Sequence, residues 1–160
     1  MDRSEILAWR RNKRAELIDA RMALAQAEHR DADAAIARRI DTCLDEVEPC
    51  LIGAYWPFRR EFNVLPVLDR LIAQGFIIAL PVVLGKGRPL EFRNWNRAIK
   101  LASGVYDIPY PAEGAAVQPK MLIVPLVGFE LGHLPTIHPL PHDIPMNAIA
   151  TEKSFYHRES

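Results

Sequence analysis

The sequence MLIVPLVGFELGHLPTIHPLPHD, residues 121–143, decides the fold class of this chain. Its first seven residues form an apolar run, which is typical of a strand buried on both faces of a parallel sheet. Parallel strands commonly place functional residues at their carboxyl ends. After this run the chain continues through Gly128 and Phe129 into a segment rich in proline and histidine, without a glycine-rich loop that could hold phosphate. The sequence therefore predicts an interior strand of an α/β sheet, followed by an unusual connection.

The remaining chain alternates helical and strand patterns. Helices are predicted over residues 3–24, 27–46 and 63–75, and strands over residues 51–56, 76–83, 90–95 and 121–127. Pro49 follows the second helix. For the third helix, Asn63 is the predicted amino-terminal cap and Gly75 the residue predicted just after the carboxyl-terminal end. A loop is predicted over residues 102–120, which are rich in Pro, Gly and Ala. This order predicts a single α/β domain over residues 1–160, with three α/β/α layers.

The composition argues against several classes of protein. The chain has 160 residues, of which 49% are hydrophobic and 25% are charged, and its formal net charge is zero. No apolar run is long enough to cross a membrane, and no global charge favours nucleic acid as a partner. Cys43 and Cys50 lack the spacing of a zinc or redox motif. The amino-terminal sequence MDRSEILAWRRNKR lacks the apolar core of a signal peptide, so we expect a cytoplasmic protein.

Two groups of residues have the chemistry of a ligand site. Arg10 and Arg14 are four residues apart on the first predicted helix and could bind a polyphosphate, although charged runs on such helices are more often solvated. Trp56 ends a predicted strand and Glu61 follows it, so an aromatic ring could stack on a flat heteroaromatic ligand and a carboxylate could accept its N–H groups. The alternative for this second group is an aromatic cluster beside a solvated glutamate.

One further cluster suggests a metal site from residue type alone. It consists of His133, His138, His142 and Asp143. Their spacing matches no helical zinc motif, and the prolines between them predict an extended loop. A transition-metal site is therefore the weaker interpretation of this cluster.

Several motifs together resemble one protein family. They are IIALPVV at residues 77–83, PLEFRNW at 89–95, VYDIPYP at 105–111, VPLVGF at 124–129 and PHDIPMNAIATE at 141–152. Over nearly its whole length the chain is similar to the 5-formyltetrahydrofolate cyclo-ligases, also called methenyltetrahydrofolate synthetases. The resemblance implies a mixed, mainly parallel sheet. It also implies an enzyme, expected to be a monomer, that uses ATP and Mg²⁺ to convert 5-formyltetrahydrofolate to 5,10-methenyltetrahydrofolate, ADP and phosphate.

The resemblance assigns the ATP and magnesium contacts to three residues. Arg10 and Arg14 would contact ATP, although the family usually has Lys at the first of these positions, and a planar guanidinium is not equivalent to an ammonium group. Asp143 would bind magnesium, a hard ion that prefers oxygen ligands. No catalytic acid or base is implied, because the reaction depends on positioning and charge neutralisation.

The resemblance assigns the folate contacts to another three residues. Trp56 and Glu61 match an apolar residue and a glutamate that bind the substrate in the family. Tyr106 stands where the family commonly has Trp, in an element that closes over the folate. Tyrosine retains the ability to stack but offers a smaller ring, and the alternative is a proline-locked loop whose tyrosine packs down.

The chain departs from the family between residues 127 and 130. There the family has a glycine-rich loop of the kind RLGYGGGYYDR, then a helix and a strand, and the aspartate after the tyrosines of this loop is its other magnesium ligand. About three dozen residues, roughly one βα unit, are absent. Either the loop has been lost or the polypeptide is longer than this sequence. We expect the second, because an interior strand over residues 121–127 needs a neighbour on each side.

Three other functions are consistent with the sequence. The protein could bind folate or nucleotide without turnover, which a true loss of the loop would favour, because backbone N–H groups for phosphate would be missing. It could be an ATP-dependent ligase for another formylated or carboxylated small molecule, or a His-rich metal-binding module. None of these alternatives involves nucleic acid or a membrane.

Overall fold

The computed structural model describes residues 2–85, 88–124 and 129–158. The helices are α1 (Arg3–Ala23), α2 (Gln26–Leu44) and α3 (Leu65–Ala73), and the strands are β1 (Leu51–Gly53), β2 (Ile77–Val82), β3 (Glu91–Trp95), β4 (Leu101–Ser103), β5 (Pro109–Pro111), β6 (Ala116–Val117), β7 (Met121–Leu122), β8 (Ala148–Ala150) and β9 (Phe155–His157). Two short 3₁₀ turns span Val105–Asp107 and Glu130–Gly132. None of the helices in the described ranges is both long and apolar enough to cross a membrane.

The chain divides into two compact units. The first unit consists of Met1–Ile40, Arg59–Phe62 and Leu126–Ser160, and the second unit consists of Asp41–Phe58 and Asn63–Pro125. The single domain and the three layers that the sequence suggests stay predictions.

The first unit begins with a capped helix. The Asp2 carboxylate accepts the backbone N–H groups of Ser4 and Glu5, and the Glu5 carboxylate accepts the N–H group of Asp2. This capping box satisfies donors that the first helical turn would otherwise leave unpaired. The bounds of α1 and α2 confirm the helices predicted over residues 3–24 and 27–46.

A hairpin near the carboxyl end of the first unit was not predicted. β8 and β9 pair antiparallel, with Ile149 opposite Tyr156, and the Arg158 N–H group donates to the Asn147 carbonyl oxygen at 2.9 Å. The preceding residues 133–147 have no regular secondary structure, which confirms the extended loop that their prolines predict.

The second unit contains a mixed sheet of five strands in the order β6-β3-β2-β1-β7. β1 is parallel to β2 and β7, whereas β3 is antiparallel to β2 and β6. The prediction of an α/β protein with a mixed sheet is confirmed. Parallel pairs do not outnumber antiparallel pairs among the described strands, because the connection from β2 to β3 is too short for a crossover helix and returns as a hairpin.

The core of the second unit lies between α3 and the sheet. Val67, Leu68 and Leu71 of α3 are at most 1% exposed, and so are Ile78 and Leu80 of β2. Because α3 packs against β2, these side chains form one apolar layer. Burial of this kind supplies the main favourable free energy of folding.

The two ends of α3 test the predicted caps. Val64, whose backbone is helical at φ −70° and ψ −20°, is the amino-terminal cap residue, so the prediction that Asn63 occupies this position is wrong. The Asn63 side chain still accepts the Leu65 N–H group at 3.4 Å, from one position earlier. Gly75 follows the helix with φ +95°, a left-handed conformation that glycine adopts without steric cost, as predicted for this end.

The edge strand β7 differs most from its prediction. The sequence predicts an interior strand over residues 121–127, but β7 is two residues long and pairs only with β1 among the described strands. The Ile123 N–H group extends the contact by donating to the Gly53 carbonyl oxygen at 2.8 Å. Leu122 and Val124 are 55% and 40% exposed, because no further strand in the described ranges covers this edge. Residues 125–128 lie outside the described residues.

The predicted loop over residues 102–120 is also wrong in part. β4 and β5 form an antiparallel hairpin, in which Leu101 lies opposite Pro111 and Ser103 opposite Pro109, and β6 pairs with β3. Prolines are compatible with β5 because a two-stranded hairpin has no third strand that would require their missing N–H groups.

Candidate functional site

Arg10 joins α1 to the carboxyl-terminal loop of the first unit. Its Nη2 lies 2.6 Å from Oδ2 of Asp143 and its Nη1 lies 3.2 Å from Oδ1, so guanidinium and carboxylate meet through two hydrogen bonds. Its Nε and Nη2 donate to the carbonyl oxygens of Ile137 and His138, both at 2.9 Å. These contacts use most of the five N–H donors of the guanidinium. Two predicted site residues, Arg10 and Asp143, are therefore partners of each other.

The carboxylate of Asp143 is fixed in its ionised form. The hydrogen bonds from Arg10 are the largest cause, and the Leu140 N–H group, which donates to Oδ2 at 2.7 Å, is the next; together they lower the pKa of Asp143 to about 2. The same contact raises the pKa of Arg10. A charged carboxylate that accepts several hydrogen bonds is well stabilised in its loop.

Asp143 is the predicted magnesium ligand, but its surroundings do not fit a metal site. A carboxylate oxygen is the correct donor type for Mg²⁺. Both oxygens of this group, however, already accept hydrogen bonds from a cation. Within residues 2–85, 88–124 and 129–158, no group of three or more His, Cys, Asp or Glu side chains could hold a metal ion. Asp143, as it is bonded in this structure, is therefore not placed as a magnesium ligand.

Arg14 differs from Arg10 although the two lie one helical turn apart. Its side chain is exposed, and in the part of the chain that the structure describes no hydrogen bond or ion pair involves its guanidinium. The full set of donors on Arg14 is thus available to an anionic ligand. Of the two predicted phosphate contacts, Arg14 is the one that can bind phosphate without first losing other partners.

Glu61 lies beside a buried arginine of α1. Its Oε1 is 3.9 Å from Nη2 of Arg21, and its side chain is only 19% exposed. Arg21 is 3% exposed, and its Nε donates to the Arg59 carbonyl oxygen at 3.1 Å. This geometry contradicts the interpretation of Glu61 as a freely solvated side chain. The amphipathic pattern of α1 gave no sign that Arg21 is buried.

The second unit carries the aromatic residues of the predicted site. Trp56, just beyond β1, meets Trp95 of β3 edge to face, with ring centroids 6.1 Å apart and an angle of 89° between the planes. Trp95 is 4% exposed, so Trp56 rests on the apolar core. Tyr106 is 75% exposed at the end of the β4–β5 hairpin, and its ring lies near the ring of Phe58. This exposure argues against the alternative of a proline-locked loop whose tyrosine packs down, and the folate contact of Tyr106 stays a prediction.

The histidines of the loop do not converge. His133 lies 3.2 Å from the Glu130 carboxylate through Nδ1. His138 instead meets the ring of Trp9 edge to face, with centroids 5.0 Å apart. Because His133 and His138 have separate partners and no metal-binding group is present in the described ranges, the His-rich metal module gains no support.

A polar network around Glu130 was not predicted. Its carboxylate accepts hydrogen bonds from the Thr151 hydroxyl at 2.6 Å and from the Tyr156 hydroxyl at 2.9 Å. These two contacts, in that order, lower the pKa of Glu130. The network ties the Glu130–Gly132 turn to the β8–β9 hairpin. Thr151 and Glu152 were visible in the sequence only as the end of the PHDIPMNAIATE motif.

A cavity of about 570 Å³ opens in the first unit beside α2. Ala32, Ala35 and Phe129 form part of its apolar wall, whereas Glu28, Asp31 and Glu152 line it with carboxylates. A polyphosphate would be repelled by this lining. The cavity therefore does not suit the triphosphate of ATP.

Comparisons with known proteins agree with this fold. No family model matches the chain, and no curated protein matches it. The NMR structure of 5,10-methenyltetrahydrofolate synthetase from Aquifex aeolicus shares 19% of residues and superposes with a TM-score of 0.73, over 94% of each chain. A 5,10-methenyltetrahydrofolate synthetase from Mycoplasma pneumoniae, also 19% identical, has a TM-score of 0.57 over 75% of this chain and 65% of its own.

These similarities establish the fold. Both solved structures belong to the family that the sequence motifs resemble, so the α/β fold with a mixed sheet is confirmed. At 19% identity the activity does not follow from the fold alone.

Proposed function

We propose that this protein is a 5-formyltetrahydrofolate cyclo-ligase, which uses ATP with Mg²⁺ to form 5,10-methenyltetrahydrofolate, ADP and phosphate. The observation that carries the proposal is the fold shared with a methenyltetrahydrofolate synthetase over 94% of the chain. The family motifs of the sequence add support, because they recur along the same chain between residues 77 and 152.

The proposed reaction needs positioning more than acid–base chemistry. The formyl oxygen attacks the γ-phosphorus of ATP, and the bond between that phosphorus and the oxygen of ADP breaks. N10 of the folate then attacks the activated formyl carbon, phosphate leaves with the former formyl oxygen, and N10 loses its proton. The protein's contribution is to align the reacting groups and to neutralise phosphate charge.

The residues proposed to contact phosphate differ in whether their hydrogen-bond donors are already engaged. Arg14 has free donors for a phosphate group, whereas Arg10 would have to leave its four hydrogen bonds to do the same. Glu61 is proposed to accept N–H groups of the pterin, and Trp56 and Tyr106 to contact its ring. Magnesium is proposed to accompany the phosphates of ATP, where most of its ligands are commonly phosphate oxygens and water.

A coupled turnover assay tests the proposal. The protein, 5-formyltetrahydrofolate and Mg²⁺ are mixed with or without ATP, and methenyl product and ADP are quantified together. We expect one ADP per product and no product without ATP. Glu61→Gln should weaken folate binding by about tenfold and leave ATP binding unchanged, because one acceptor becomes a donor that faces donors. Glu113→Gln, an exposed glutamate of the second unit, is the matched control.

Binding without turnover is the second candidate function. It is favoured by the pairing of Arg10 with Asp143, which engages two of the residues that the resemblance assigns to ATP and metal. Calorimetric titration that detects folate or ATP binding, with no ADP formed, would select this candidate. ADP or phosphate release with a different formylated or carboxylated compound would instead select a related ligase.

The intact mass of the polypeptide separates the first two candidates. If the glycine-rich loop is present in the natural protein, the mass exceeds 18.1 kDa by several kilodaltons, the weight of roughly one βα unit. We expect the heavier protein, because the exposed Leu122 and Val124 mark an edge that a further strand would cover. A mass of 18.1 kDa favours the relative without turnover.

A further inference from the structure

The β4–β5 hairpin presents Tyr106 in an unusual way. The ring is 75% exposed, yet it is not isolated, because the Phe58 ring lies 6.3 Å away between centroids with only 28° between the ring planes. Near-parallel rings at this separation are within the range of attractive aromatic pairs. Phe58 is partly buried, so it is the fixed partner of the two.

The tip of the hairpin is held rigidly around Tyr106. The Gly104 N–H group donates to the Ile108 carbonyl oxygen at 3.0 Å, and the Asp107 N–H group donates to the Gly104 carbonyl oxygen at 3.1 Å. The Ser103 hydroxyl adds a hydrogen bond to the Asp107 carboxylate at 3.0 Å. These contacts keep the backbone of the tip in place without any contribution from the Tyr106 side chain.

The backbone at this tip is strained. Tyr106 has φ +58° and ψ +26°, a left-handed conformation that is rare for a residue with a large side chain, and Asp107 follows it with φ +59°. Strain of this kind persists only where surrounding contacts fix it, and it is concentrated at binding sites. Here it directs a large aromatic ring outward instead of into the core.

We propose that Phe58 is a substrate-positioning residue, which holds the Tyr106 ring so that its face can stack on the flat pterin ring of a folate. This inference rests on the proposed function. An exposed tyrosine alone would sample several rotamers and lose that freedom on binding, whereas a ring already supported on one side has less freedom to lose. Phe58 therefore acts through Tyr106, and its effect requires the Tyr106 ring.

No sequence motif assigns Phe58 a role, because its contact with Tyr106 joins residues that are far apart in the chain. Stacking accepts any flat ring, because it depends on area and not on a hydrogen-bond pattern. Phe58 should thus strengthen folate binding without discriminating between related pterins.

A double-mutant cycle tests whether Phe58 acts through Tyr106. Phe58→Leu removes the phenyl ring and keeps an apolar side chain, and Tyr106→Ala removes the ring that Phe58 supports. The double variant carries both substitutions. We expect Phe58→Leu to raise the KM for 5-formyltetrahydrofolate by about fivefold and Tyr106→Ala by about tenfold, and the double variant to match Tyr106→Ala. The KM for ATP should not change. Phe58→Tyr should restore most of the affinity, and Phe155→Leu in the first unit should have no effect.

The outcomes separate this inference from the proposed function. Effects of the two substitutions that multiply, or a normal KM in Phe58→Leu, would overturn the role of Phe58 even if the enzyme is active. If 5-formyltetrahydrofolate does not bind, the same cycle is measured by titration with free pterin. Coupled losses of pterin affinity would then support Phe58 while the proposed function fails, and absence of pterin binding would overturn both.

Discussion

The sheet of the second unit and the loop of residues 136–143 in the first unit are held in place by different forces. Leu68, Leu71 and Ile78 are at most 1% exposed, so the sheet and α3 are joined by apolar burial. The loop is held by Arg10, which bonds to the Asp143 carboxylate and to two backbone carbonyl groups. Apolar burial does not depend on pH or salt in the way that an ion pair does. The sheet is thus the stable frame, and the loop is the part whose anchoring can be changed by charge.

The largest expected effect is the loss of apolar burial in the frame. Leu71→Ala should lower the free energy of unfolding by about 2–5 kcal/mol, because it removes buried methyl groups and leaves a cavity beside β2. Leu7→Ala is the matched control, since Leu7 is 48% exposed on α1 and should cost less than about 0.5 kcal/mol. Urea denaturation of both variants gives the comparison. Equal losses would mean that burial in α3 is not what stabilises the frame.

Overpacking the same sheet should have the next largest effect. A Cβ at Gly53 would lie 2.5 Å from Cδ2 of Leu122, 2.8 Å from the Phe92 ring and 2.9 Å from Cγ of Pro119. Gly53→Ala should therefore cost about 1–3 kcal/mol and displace β7 from β1. Denaturant unfolding measures the loss of stability. Faster hydrogen exchange of the Ile123 N–H group reports the displacement of β7. An unaltered exchange rate at Ile123 would show that the edge accommodates the methyl group.

Most of the frame could be predicted because its signals are local. The apolar positions of the helices recur at helical spacing, and Gly75 marks the end of α3 where its left-handed backbone is needed. The edge position of β7 could not be predicted from its own composition. An apolar run indicates that a strand is buried, but whether a second strand pairs with it depends on residues elsewhere in the sequence.

The candidate site was harder to predict than the frame. Arg10 and Asp143 are separated by 133 residues, and nothing in either motif indicates that they bind each other. Likewise, a left-handed backbone at Tyr106 has no sequence signal, because neither Gly nor Asn occupies the position. Residue type identified groups able to bind anions or aromatic rings, whereas their existing partners were fixed by the tertiary structure.

Arg14 and Arg10 offer a direct test of how the existing partners affect function. Arg14→Ala should weaken ATP binding by about 1.5–3 kcal/mol, the value of a charge-assisted hydrogen bond, and leave the fold unchanged. Arg10→Ala should instead release the loop, seen as faster proteolysis within residues 136–143, with a smaller change in ATP affinity. Calorimetry measures the ATP affinity of each variant, and limited proteolysis measures how fast its loop is cleaved. The opposite pattern would assign the phosphate contact to Arg10 and a surface position to Arg14.

The smallest expected effect is a local response of the loop to acid. The pKa of Asp143 is about 2 in the folded protein, against an ordinary value of 3.8, because Arg10 and the Leu140 N–H group bond to its ionised form. A lowered pKa means that this contribution to stability is fully present above the ordinary value and is lost as the pH falls from about 4 toward 2. The Leu140 amide signal in NMR spectra should therefore titrate with a midpoint near 2, with His142 the other titratable group whose charge acts on Asp143.

Asp143→Asn should abolish this titration and loosen the loop at neutral pH, while the Mg²⁺ requirement of any activity stays the same. A midpoint near 3.8 in the parent would mean that Arg10 does not hold the loop, and a raised Mg²⁺ requirement in Asp143→Asn would return this carboxylate to the metal.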